Sequence, residues 1–325
     1  MSIRQVPFAA CVTMAAAFTC TALEPAAAQQ YPTRKITAVV AAPAGGYADA
    51  VARVIADKLA ARLGQNIVVE NRGGGGGNIA AKAVAAAAPD GHTILVTTTA
   101  MAINETLHKN KGYSVFDLRP AAIAVSAPEV ILSHPSHPAK TLAELVKASQ
   151  GQSITYGSAG VGTGSYIAAA YFFKVLAKLD TVHVPFPGGA PAINAILGNH
   201  ISILAVTVPP VIAPINRGAI RGLGIASAKR MELVSQIPTY AENGFPNFHA
   251  SSWVGFFLPA KTSDAIAETL NREINDALKD PTVQARLNPF GVELLQRSKE
   301  DTVVFFRSEV DHWGKMVKTL GLSIN

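Results

Sequence analysis

Two stretches of this chain combine small residues, hydroxyls and helix-start chemistry in a way that could hold an anion. The first is Pro43-Ala44-Gly45-Gly46-Tyr47-Ala48-Asp49, which follows the β-rich run Ile36 to Val40. The second is Ser158-Ala159-Gly160-Val161-Gly162-Thr163-Gly164-Ser165, which follows Ile154 to Gly157. Each reads as a buried strand, a glycine-rich turn and a helix N-terminus. A helix start exposes N–H groups without intrahelical partners and carries a partial positive charge, so it can hold an anion without Lys or Arg. Glycines let a ligand approach those amides closely, while Ser158, Thr163 and Ser165 add hydroxyl donors. Asp49 is placed to cap the helix that follows it. Taken singly, either loop is equally well an ordinary tight turn. One in each half of the chain, they suggest a clamp.

Catalytic constellations are missing. Gly160 to Ser165 departs from a G-x-G-x-x-G dinucleotide loop at its third glycine, which falls on Ser165, and no ribose-binding acid follows at the right distance. No G-x-x-x-x-G-K-[ST] phosphate loop is present, and neither Ser158 nor Ser165 lies in G-x-S-x-G. The eight histidines show no H-E-x-x-H spacing. His134 and His137 are each followed by a proline, Pro135 and Pro138, which places them in a loop, a lone pair without further ligands. His183 lies in a strand beside the second loop and serves either as a ligand contact or as a core histidine. No cofactor or metal is expected, and the chain reads as a binding protein, not an enzyme.

The elements that must position these loops alternate. Asp49 to Leu63 is a helix with Val51, Val54, Ile55, Leu59 and Leu63 on one face. Strands are expected at Ile67 to Val69, Thr93 to Thr98, Val130 to Ser133, Val182 to Phe186, Ile201 to Val206 and Trp253 to Leu258. Helices are expected at Asn78 to Ala87, Leu142 to Ala148, Ser165 to Leu176, Asp264 to Leu278 and Lys299 to Leu320. This alternation implies an α/β fold with parallel, helix-covered sheets.

Composition narrows the compartment and the partner. Arg4, the apolar run Pro7 to Leu23 and Ala26-Ala27-Ala28 have the order of a secretory signal, cleaved near Ala28. Both cysteines, Cys11 and Cys20, fall inside it, so the exported chain has neither thiol nor disulfide chemistry. What remains is longer than one ordinary core and suggests two lobes. The net charge of +6 suits an anionic solute, and the bases are too scattered for nucleic acid.

Several segments in order carry a family resemblance. They are Tyr31-Pro32, Pro43 to Asp49, Val69-Glu70-Asn71-Arg72 with Gly73 to Asn78, Ala88-Pro89-Asp90-Gly91, Ser158 to Thr163, Val182-His183-Val184-Pro185 and Ser227-Ala228-Lys229-Arg230. As a set they resemble the Bug family, the TctC-type receptors of tripartite tricarboxylate transporters. The resemblance implies a two-lobed periplasmic binding protein of the Venus-flytrap, type II-like kind. It also implies a monomer that hands a small carboxylate to tripartite tricarboxylate-type permease subunits in the membrane. It places residues 29–127 plus 250–325 in one lobe and 128–249 in an inserted second lobe. Relative to the family's usual pattern, Tyr47 and Ala48 replace two hydroxyl residues, and Val161 and Gly164 stand where Asn and Ser are common. Phe186-Pro187 replaces Tyr-Lys, and Val206-Thr207 falls where Asp-Asn often sits. Tyr47, Phe186 and Thr207 thus join the expected contacts, in a pocket suited to an aromatic carboxylate such as terephthalate. Two other readings stay open: an exported α/β hydrolase, and a sensory binding subunit for a membrane kinase.

Overall fold

The backbone follows hydrophobic period closely: short β-branched runs are strands, and alanine- or leucine-rich amphipathic runs are helices. The computed structural model describes residues 31–325, with Met1 and Ser2. The expected signal segment, with Cys11 and Cys20, lies outside the described residues. The first half of the chain runs β1 (Ile36–Val40), α1 (Tyr47–Leu63), β2 (Ile67–Asn71), α2 (Asn78–Ala85), β3 (Thr93–Thr98), α3 (Ala100–Leu107) and β4 (Leu118–Ser133). There follow α4 (Leu142–Ala148), β5 (Ile154–Ser158), α5 (Gly164–Tyr171), β6 (Thr181–Pro185), α6 (Gly189–Leu197), β7 (Ile203–Thr207), α7 (Ile212–Asn216) and β8 (Arg221–Ile225). The chain ends with β9 (Ser251–Pro259), α8 (Asp264–Lys279), α9 (Pro281–Leu287), β10 (Glu293–Leu294) and α10 (Lys299–Thr319).

The sheet is mixed, which corrects the expectation of parallel sheets. β1 pairs in parallel with β2 and β3, and β5 pairs in parallel with β6 and β7. Every pairing that involves β4 or β9 is antiparallel. β3 and β4, joined through α3, run the same way, and β9 returns from late in the chain to lie between them and run against both. β4 pairs with β9 as far as Pro128↔Ser251, then with β7 from Glu129↔Thr207 and with β8 from Val130↔Ile225. One strand therefore serves both groups, changing partners at Pro128-Glu129.

The sequence reading of β4 is too short because Leu118 to Glu129 mixes Arg119, Glu129 and two prolines into an apolar run. It omitted α3, α6 and β8 as well. β8 reads Arg-Gly-Leu-Gly-Ile, whose glycines hide the strand signal. The helix expected from Ser165 to Leu176 runs that far, with its last turn widened over Phe172–Leu176.

Among the described residues, two apolar clusters pack on the sheet. One includes Trp253, Phe257, Phe306 and Trp313, and extends through Tyr156, Phe172 and Phe173. The other includes Val130, Leu132, Ile196, Leu204, Val206 and Ile225. Burying each such side chain fully contributes about 1.5–3 kcal/mol before entropy is counted. α1 is fastened to the C-terminal helices by Arg62 on Glu273 and Asp276, by Lys58 on Asp280, and by Arg286 on Asp57.

Candidate functional site

The first loop is built around Asp49. Gly46 is the N-cap of α1, so Asp49 stands three residues inside the helix and does not occupy the capping position expected of it. Its Oδ2 instead reaches back to accept the Gly45 N–H at 2.8 Å, and Gly45 takes φ +78° to present it. Arg53 Nε donates to the same oxygen at 3.1 Å, and Asn71 Nδ2 donates to Oδ1 at 2.9 Å. Burial raises the Asp49 carboxyl, but the bonds from Arg53, Gly45 and Asn71 outweigh it and hold the group below its ordinary value. Asp49 is thus an ionised brace with its oxygens engaged. The amides of Tyr47, Ala48 and Asp49, in the first turn of α1, meet no acceptor among the described residues.

The second loop consumes its own hydroxyls. Ser158 is fully buried, and its Oγ accepts the Gly160 N–H at 3.2 Å and lies 2.7 Å from His183 Nε2. Thr163 caps α5 through the Tyr166 N–H, and its hydroxyl donates to Gly160 O at 2.7 Å. Ser165 Oγ lies 3.1 Å from Thr163 Oγ1. Gly188 N–H donates to Ala159 O and Phe186 N–H to Ser158 O, which ties the loop to the turn after β6. The amides of Val161, Gly162, Gly164 and Ser165 meet no acceptor among the described residues. The hydroxyls expected as ligand donors therefore shape the loop, and its open donors are backbone.

His183 is half-buried between Tyr166, with ring centroids 4.2 Å apart, and Tyr156 at 5.1 Å. Burial pushes its imidazole down to about 4, so the ring is neutral at pH 7. Phe186 is half-buried: its ring edge lies over Gly157, and it packs on the cluster containing Ile201. Thr207, at the end of β7, is half-buried opposite Glu129.

Two residues passed over in the sequence lie where the loops meet. Asn104 of α3 is fully buried; its Nδ2 donates to Gly76 O in the pentaglycine loop at 2.8 Å. A methyl on Gly162 would come 2.6 Å from its Oδ1, so the second loop and α3 are in close contact. Glu129 is 3% exposed, and both of its carboxyl oxygens lack a hydrogen-bond partner among the described residues. A methyl on Gly164, the first residue of α5, would come 2.7 Å from Glu129 Oε1, and Tyr47 at the start of α1 feels the Glu129 charge. The start of α5 thus faces a buried acid whose charge also reaches the Tyr47 side chain. Its sequence signal was an acid inside Pro128-Glu129-Val130-Ile131-Leu132. Asn104 carried no such signal, because α3 itself was unrecognised.

Among the described residues, no three His, Cys, Asp or Glu side chains gather as a metal site, and no helix is long and apolar enough to cross a membrane. A recess of about 330 Å³ lies away from the loops, lined by residues that include Trp253, Arg297, Phe305 and Trp313.

Comparison with known proteins places the arrangement. Residues 51–322 match the profile of the tripartite tricarboxylate transporter family receptor, TctC. BugT of Bordetella pertussis is 31% identical over 92% of this chain and 93% of its own length. The structure of R. palustris Rpa4515 with adipate superimposes with a TM-score of 0.85 at 29% identity, covering 90% of this chain and 99% of that one. MatC from Rhodopseudomonas palustris with bound malate gives a TM-score of 0.81 at 30% identity, covering 88% and 100%. The α/β fold is that of periplasmic binding proteins, and the chain belongs to the TctC family of tripartite tricarboxylate transporter receptors, which bind solutes and are not enzymes.

Proposed function

We propose that this receptor captures a small dicarboxylate between two lobes and delivers it to the membrane subunits of a tripartite tricarboxylate-type transporter. The observation that carries the reading is the pair of helix starts with open amides, at Tyr47-Ala48-Asp49 and Gly164-Ser165. Such amides suit a carboxylate, and neither loop offers a free cation to compete for the role. The bound adipate of Rpa4515 and malate of MatC support the same class of solute. The lobes are residues 29–127 plus 250–325 and residues 128–249, a division supported by the change of strand partners at Pro128-Glu129.

The finer reading is an aromatic body such as that of terephthalate, lying against Tyr47. That ring is half-buried, and its buried hydroxyl has no partner. Phe186, committed to Gly157 and the Ile201 cluster, supports it less. Calorimetric titration with adipate, malate, terephthalate, benzoate and glutamate tests both levels. Saturable 1:1 binding of a dicarboxylate is expected, tightest for terephthalate. Binding of aliphatic acids alone removes the aromatic reading, and binding of none removes the carboxylate reading.

A further inference from the structure

A buried polar group without a partner calls for one, and Glu129 has two such oxygens in one carboxyl. Its surroundings supply no counter-charge. Across the sheet its neighbour is Thr207; Gly164 faces it from α5, and Ser252 from β9 lies against the same Gly164 position. The titratable groups that feel its charge are the phenols of Tyr47 on α1 and Tyr240 on the turn after β8. The charged residues on these packing elements are engaged elsewhere. Asp49 and Arg53 hold each other and Asn71, while Arg221 of β8 donates to the carbonyls of Pro135, His137 and Ala139. The Tyr47 hydroxyl is a second orphan beside the first. Two orphaned groups of this kind, one of them against the start of α5 with its open amides, mark a place where the protein leaves a partner to be supplied by something else.

We propose that Glu129 contacts the bound solute directly, donating the O–H of its neutral carboxyl to a carboxylate oxygen of the dicarboxylate. An ionised Glu129 would repel such a solute, whereas the neutral acid offers the donor that an anion needs. Free of solute, burial alone pushes the group up to about 8, so it is protonated at neutral pH. A solute anion beside it strengthens that preference. Binding therefore requires the proton and weakens once the pH passes the value for the free protein. The inference rests on the dicarboxylate reading.

The test is calorimetric titration of the full protein with adipate and with terephthalate at intervals from pH 7 to pH 9. Both solutes are fully ionised across that range. His183 is silent there because its imidazole sits near 4, and the Tyr47 and Tyr240 phenols are silent because they are raised. Affinity is expected to fall roughly tenfold between pH 7 and pH 9, the slope of one linked proton. In Glu129→Gln the amide still donates, so binding at pH 7 stays within about threefold and its pH profile is flat. Glu129→Leu fills the space without a donor and loses at least about tenfold at pH 7. A flat wild-type profile overturns the proposal without any variant having to fold. So does an affinity that rises with pH together with loss of binding in Glu129→Gln, which shows that the ionised acid and not the neutral one supports binding. If wild type binds neither dicarboxylate, the underlying reading fails and this inference falls with it.

Discussion

A methyl on Gly162 would meet Asn104 Oδ1 at 2.6 Å on a backbone at φ +83°, a region that side-chain-bearing residues rarely adopt. Gly162→Ala is therefore expected to cost about 1–3 kcal/mol. It should also weaken solute binding, because the open amides of Val161 and Gly162 shift with the loop. Chemical denaturation and calorimetry on one variant check both. Glu129 and His183 act oppositely on stability as the pH changes. Glu129, raised to about 8, contributes stability that is full below its ordinary 4.5 and lost as the pH rises through 8. His183, lowered to about 4, contributes stability that is present above its ordinary 6.5 and lost as the pH falls towards 4. Melting temperatures of wild type and Glu129→Gln should therefore diverge from pH 5 to pH 8 and then run parallel, the variant lacking the alkaline loss. A constant difference across that range contradicts the burial of an uncompensated acid.

Helix caps separate support of the fold from support of the site. Thr163 caps α5 by accepting the Tyr166 N–H, and Ser263 caps α8 by accepting the Ile266 N–H. Replacing either by Ala is expected to cost about 1 kcal/mol. Thr163→Ala should in addition weaken carboxylate binding several-fold, while Ser263→Ala leaves it unchanged. Denaturant midpoints and calorimetry on the pair check this, and equal effects on binding would place the site elsewhere. The same elements explain what could be read from sequence. β3, α4 and the start of α8 fall where hydrophobic period and caps put them, because their signals are local. The antiparallel course of β4 and β9 is non-local: it depends on which strands lie side by side, and no pattern within Leu118 to Ser133 states that. The loops were visible as glycine-rich strand-to-helix turns. The use of Ser158, Thr163 and Ser165 within the loop was not, since a hydroxyl's partner is fixed only once the turn closes. Asp49 was seen as a cap, and its reach back to Gly45 depends on Gly46 being the residue that starts the helix.

In the whole molecule, one strand, β4, carries both groups of the sheet and places Glu129 where its partners change. The helix starts of α1 and α5 come from opposite sides of that strand in the chain order; Gly164 of α5 lies against the acid, and Tyr47 of α1 feels its charge. A solute held there touches both groups at once, so its binding energy is available to draw them together. The competing place for an anion is the recess near Arg297, whose guanidinium lies 4.4 Å from the Phe305 ring centroid and whose Nε lacks a partner. A crystal structure of the protein with adipate decides between them most directly. The account predicts a carboxylate within hydrogen-bond distance of the Tyr47 and Ala48 amides or of the Gly164 and Ser165 amides, with Glu129 reaching an oxygen of the same solute. A carboxylate gripped by Arg297, or by any Lys or Arg in place of these backbone donors, contradicts it.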